Sequence, residues 1–205
     1  MRMRLRLTLA VLAILAGASA APAQDEIDKT RADAFNQRLF ARPLAAKMTF
    51  ACFTRVYDGE HLARHPQQKV AAMKLLVTAE HPPEDKAVTN YAFRLGFKYR
   101  HRGGRFDSAG SCNHFTPENA GDEIRLGCGV DCDGGGLNVA VSEDAKSAII
   151  RLKRIRVWQN SKPDEDPESL EAGADDGIFR LERADNKQCA SLVTDREELA
   201  ALRQE

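Results

Sequence analysis

The sequence predicts an all-β fold: about eight antiparallel strands forming a small barrel or sandwich, with a short helix near each end. Three observations carry this. Apolar and polar residues alternate at a period of two through the middle of the chain, the pattern of strands with one buried face. The strand-like runs are short and closely spaced, with turn residues between them, as in meandering β folds. Helical periodicity is confined to one stretch before the first strand and one after the last.

Residues 1–23 read as a leader. Arg2, Arg4 and Arg6 precede an apolar run from Leu7 to Ala16 broken only by Thr8, and small residues follow up to Ala23. This basic, apolar, small-residue order is that of a secretory signal peptide cleaved after Ala23. The run is too short for a membrane span, which needs about 20 residues. The expected product is a periplasmic or secreted protein, made in a compartment where cysteines pair.

Residues 24–46 form a helical segment. Within it 25–42 carries Ile27, Phe35, Leu39 and Phe40 on a shared face, and Pro43 stops the helix. The β domain is expected over 47–193. From Lys47, Met48, Phe50 and Cys52 alternate with Thr49, Ala51 and Phe53, a strand apolar on both faces. Residues 58–65 make a turn or one helical turn, closed by Pro66. Over 70–79, Met73, Leu75 and Val77 share one face while Lys74 takes the other. The clearest strand is 89–101, with Tyr91, Phe93, Leu95, Phe97 and Tyr99 on one side and Asn90, Arg94, Lys98 and Arg100 on the other. Gly103 and Gly104 supply the turn after it, since paired glycines readily take positive φ. Further strands follow at 106–115, 123–128, 136–141, 148–158 and 178–183. The acidic segment 161–177 repels itself and reads as a surface loop. In the last segment, 194–205, Thr194 and Glu197 form a capping box for a helix that turns Leu199 and Leu202 inward.

Composition excludes some functions. Thirty basic residues balance thirty acidic ones. Loss of the leader's three arginines leaves a charge of about −3, a poor basis for binding nucleic acid. No second long apolar stretch provides a membrane span.

The five cysteines are Cys52, Cys112, Cys128, Cys132 and Cys189. Two bridges and one free thiol allow about fifteen arrangements. Cys52, inside an apolar strand, is the expected free thiol, behaving as a small buried hydrophobe. Cys112 and Cys128, on consecutive strands, are expected to pair, leaving Cys132 for Cys189. A zinc site from Cys128, Cys132, Cys112 and His114 lacks the C-x-x-C spacing of zinc modules.

The string from Cys128 to Gly136, C-G-V-D-C-D-G-G-G, has two readings. As a ligand or ion site, Asp131 and Asp133 would offer oxygens to calcium, or Gly134, Gly135 and Gly136 would present an amide nest to an anion. As scaffold, it is a tight bend pinned by a disulfide. Together with Arg55–Asp58 and Gly173–Leu181, the string resembles an uncharacterised family of exported bacterial proteins. The resemblance implies no activity, cofactor or catalytic residue.

Other sites are weaker. His61 and His65 share a helical face but lack H-E-x-x-H. No serine sits in G-x-S-x-G. Arg151, Lys153, Arg154 and Arg156 are the densest basic run, and on a regular strand the first two oppose the last two. A surface for an anionic glycan or lipid head group is the functional reading of that run. Tyr91, Phe93, Phe97 and Tyr99 would line a cavity if the barrel were hollow.

No catalytic residue, metal or cofactor is expected. The role these observations favour is a non-enzymatic binding or interaction module for a small ligand or an envelope protein. An inhibitor or accessory factor of an envelope enzyme is the alternative, and a metal- or thiol-dependent enzyme comes third.

Overall fold

A computed structural model describes residues 27–204 apart from 46, 86, 119, 120, 122, 163 and 164; the expected leader lies outside the described residues. Eight strands close into an antiparallel ring. They are β1 (Met48–Val56), β2 (Val70–Glu80), β3 (Asn90–Tyr99), β4 (Phe106–Phe115), β5 (Arg125–Gly129), β6 (Gly135–Val141), β7 (Ser147–Gln159) and β9 (Ile178–Ala184). Each of β1 to β7 pairs with the next, β7 pairs with β9, and β9 returns to β1 through Cys52↔Ala184, Phe53↔Arg183 and Thr54↔Glu182. Closure removes the open edge that a meander of this length would otherwise expose.

The alternation read on β3 is observed. Phe93, Leu95 and Phe97 are almost fully buried inside the ring. They meet Phe53, Met73, Leu75, Phe106, Leu126, Val139, Ile150 and Phe179 in one core. Side chains therefore fill the barrel, as eight strands permit. Phe93 and Phe97 are core residues and Tyr91 and Tyr99 sit half-buried at opposite ends of the ring, so the four do not share one interior cavity.

Helix α1 (Lys29–Phe40) closes the Tyr91 end with Phe35, Leu39 and Phe40. Asp28 caps it by accepting the Arg31 amide at 3.1 Å. Its last turn is held by Arg183, which donates to the carbonyls of Arg38 (2.8 Å) and Leu39 (2.9 Å) and to that of Ala145 (2.6 Å). The guanidinium lies over the Phe53 ring at 4.6 Å, a half-buried cation facing carbonyl dipoles.

A second, smaller core explains why β1 is apolar on both faces. Phe50, Cys52 and Leu76 point outward and are covered by a 3-10 turn (Asn186–Leu192) and helix α3 (Arg196–Gln204), through Cys189, Leu192, Val193 and Leu202. Arg94 and Glu198 form a two-pronged ion pair over this seam. The cap of α3 is Asp195, which accepts the Glu198 amide at 2.8 Å, one residue later than Thr194. Both residue types cap well, so composition alone left the register open.

The cysteine assignment changes with this packing. Cys52 is bonded to Cys189, and Cys112 to Cys128; Cys132 is free and exposed. Cys52 is therefore not the free thiol, and Cys132 does not join Cys189. An apolar strand position suits a buried thiol and a buried disulfide equally, and the C-terminal segment that brings Cys189 there is remote in sequence.

Two further expectations are corrected. The acidic segment is not simply a loop: it contains β8 (Glu168–Glu171), paired with the outer half of β7, and buries Leu170 and Asp176. A four-residue strand with one core side chain is too short for periodicity to reveal. On β7, Ala148, Ile150 and Leu152 face inward, and then Ile155 and Val157 do. The register steps from Gly135↔Ile155 to Leu137↔Leu152, so β7 carries one extra residue, a β-bulge at Lys153–Arg154. The bulge places Arg151, Lys153, Arg154 and Arg156 on one outer face rather than two.

Candidate functional site

Where α1 meets the barrel, a cleft of about 720 Å3 opens between the helix, its following linker and the β2–β3 connection. Its wall mixes apolar surface from Ala32, Pro43, Leu44 and Ala87 with polar side chains, and its foot is a hydrogen-bonded cluster. Asn36 stands on the buried face of α1 beside Phe35. Its Nδ2 donates to the Tyr91 hydroxyl at 2.8 Å, and its Oδ1 is 3.0 Å from His114 Nε2. An amide oxygen only accepts, so Nε2 carries the imidazole proton and Nδ1 keeps its lone pair. His114 is gripped edge-on by Phe35 (5.4 Å) and Tyr91 (4.7 Å).

The strand register brings these groups together. Tyr91 opposes Cys112, and His114 lies two residues further along the same face of β4. The Cys112–Cys128 bond pins β4 to β5 next to it. At the rim, His81 Nδ1 is 3.0 Å from the Val88 carbonyl and 3.3 Å from the Thr89 hydroxyl.

The electrostatics leave the foot of the cleft uncharged near neutral pH. Burial pushes His114 below its ordinary value, with the Asp33 charge opposing part of the shift. Burial raises the Tyr91 phenol, partly offset by hydrogen bonds with Asn36 and Thr89. Lys29 and Asp33 pair across one helical turn of the wall. What remains at the foot is a set of neutral donors and acceptors in fixed positions, beside aromatic edges. Such a surface recognises hydroxyl and amide groups better than ions.

The other sequence candidates lie elsewhere. Asp131, Asp133 and Gly134 lie in the β5–β6 turn and Gly135 and Gly136 open β6, and the polar groups of the turn are largely used within the protein. The Gly134 amide donates to the carbonyls of Val130 and Asp131. The carbonyls of Asp131 and Cys132 accept from Arg156, and that of Asp133 from Arg154 at 2.6 Å. A calcium ion seeking those carbonyls would meet two guanidiniums, and the Gly134 amide is already spent. Close approach accounts for the glycines. At Gly135 (φ +72°) a Cβ would stand 2.2 Å from the Arg154 carbonyl oxygen, and at Gly136 2.1 Å from that of Cys128. The bend reading fits this geometry.

His61 and His65 sit on helix α2 (Gly59–Arg64) and at its C-terminal end, with rings stacked at 4.4 Å. Among the described residues, no three of His, Cys, Asp and Glu converge as a metal site. Cys112, the proposed partner of His114 on zinc, is consumed in a disulfide.

Sequence reasoning placed Tyr91 correctly inward but missed Asn36, Thr89 and His81. Asn36 did leave a signal, as a polar side chain on the apolar face between Phe35 and Leu39. No family model, curated protein or solved structure matches the chain.

Proposed function

We propose that the protein is an exported, non-enzymatic binding module that takes a small uncharged, polyhydroxylated ligand in the cleft beneath α1. The observation carrying this reading is the Asn36–Tyr91–His114 network, a fixed and neutral hydrogen-bonding surface. The cleft volume falls within the range of about 300–1,000 Å3 usual for small-molecule sites. Export is supported by the leader-like residues 1–23 and by two disulfides, which persist in oxidising compartments. No described helix is long and apolar enough to cross a membrane.

The test is NMR titration with maltotriose, chitotriose and a pentitol. Binding is expected to shift the His114 and Tyr91 ring resonances and to be lost in Asn36→Leu with the remaining spectrum unchanged. Binding of none of the three, or shifts confined to other surfaces, overturns the assignment. Fractionation of cells carrying the full chain tests export: retention of the uncleaved chain in the cytoplasm counts against it.

A second reading, as inhibitor or accessory factor of an envelope enzyme, draws on the β5–β6 turn. Arg154 and Arg156 clamp that exposed turn from below, which suits a loop offered rigidly to a partner. Crosslinking through Cys132 in envelope extracts, followed by identification of the attached protein, tests it.

A further inference from the structure

The outer surface of β5, β6 and β7 carries a groove of about 790 Å3, separate from the cleft beneath α1. Its floor is main chain, because Gly127, Gly129 and Gly136 present no side chains there. One wall holds Arg151, Lys153 and Arg154, gathered on that side by the bulge, and no carboxylate lines the groove. Nη1 of Arg151 is buried without a hydrogen-bond partner. The positive field extends beyond the groove. Arg156 continues it along β7, and Glu123, bonded to Arg125, is held low by that arginine first and by Arg151 and Arg38 as well. Carboxylates flank the wall without lining the groove: Glu123 interacts with Arg151, Glu171 stands opposite Arg154 on β8, and Asp131 and Asp133 lie on the turn.

We propose that this groove binds an anionic polysaccharide, a chain of carboxylated or sulfated sugars laid along the glycine floor with its charges against Arg151, Lys153 and Arg154. The bare backbone lets a ring approach closely, and the cationic wall fixes the side on which the anionic groups lie. A bilayer is the poorer match, because membrane-surface binding uses an apolar face inserted among head groups and here the cations line a concave wall. Nucleic acid is the poorer match because no aromatic side chain lines the groove for bases to stack on.

The experiment is isothermal titration of the intact protein with polygalacturonate and heparin oligosaccharides at about 0.15 M salt. Lys153→Glu, at an exposed position, is compared with Lys98→Glu, the same charge change at an exposed position on β3. Saturable binding, weakened about tenfold by Lys153→Glu and little by Lys98→Glu, is the expected result. Equal weakening by both variants reveals non-specific attraction and overturns the site. So does absence of binding, or preference for anionic phospholipid vesicles over either polysaccharide. Unchanged melting temperatures of both variants exclude misfolding as the cause.

Discussion

Asp176 accepts the backbone amide of Lys69 at 2.8 Å and that of Val70 at 3.3 Å, fastening the end of the acidic segment to the start of β2 across 107 residues of sequence. The carboxylate is fully buried. Its pKa lies above the ordinary 3.8, because desolvation outweighs the two amide bonds. Asp176→Ala strands both amides and is expected to cost about 2–4 kcal/mol in urea denaturation at pH 7. Asp176→Asn keeps an acceptor and drops the buried charge, so it should stay within about 1 kcal/mol of wild type. Equal losses for the two would mean that the charge, rather than the acceptor, holds the segment.

His114 makes stability depend on mild acid. The unfolded ring protonates near 6.5, while burial holds the folded ring below that value. As pH falls through 6.5 the unfolded state therefore binds the proton first, and stability drops until the folded ring also titrates. Asp107 and Asp176 act in the opposite direction: with folded values above 3.8, they favour the folded state on acidification, at lower pH. Melting temperatures between pH 7 and pH 5 should fall less steeply for His114→Gln than for wild type. Parallel slopes would remove His114 as the cause.

The two disulfides should differ in worth. On the chain-entropy model, a loop spanning 137 residues gives Cys52–Cys189 about 5 kcal/mol, and one spanning 16 gives Cys112–Cys128 about 3 kcal/mol. Replacing each pair with alanines and comparing denaturation midpoints checks the order. Alkylation of the native protein should label Cys132 alone, and labelling after reduction in denaturant should reach all five cysteines.

Gly135 and Gly129 are a matched pair of tests. Gly135→Ala forces a side chain against the Arg154 carbonyl at positive φ, and a loss of at least about 2 kcal/mol is expected. A Cβ at Gly129 meets nothing within 4 Å, so Gly129→Ala should change stability by less than about 0.5 kcal/mol. Thermal unfolding of both variants decides whether the glycine string is needed for its bend.

The strands that close the barrel were legible because each is long enough for alternation to show and has one face in the core. Where two remote segments meet, local pattern fell silent. Cys52 looked like a lone buried thiol because the covering helix and Cys189 arrive from the far end of the chain. Glu168–Glu171 looked like loop because its single core residue, Leu170, sits among charges. The bulge at Lys153–Arg154 was hidden because both residues are polar, so the shift of phase appears only downstream, at Ile155 and Val157. The cleft was half visible: Tyr91 lay on an evident strand, but its link to Asn36 and His114 depends on how α1 docks.

The Cys52–Cys189 bond also decides where mechanical tension can travel. A pull on the polypeptide from both sides of the barrel would pass along β1 only as far as Cys52, cross the sulfur bridge, and leave through Cys189. The three register pairs that close β1 against β9 begin at Cys52 itself, so the zipper is clasped at its first tooth. The ring beyond Cys52, with the glycine-floored groove, therefore lies outside the load path while the bridge is intact, whereas the α1 wall of the first cleft precedes Cys52 and stays on it; reducing that one bond would expose the seam to peeling.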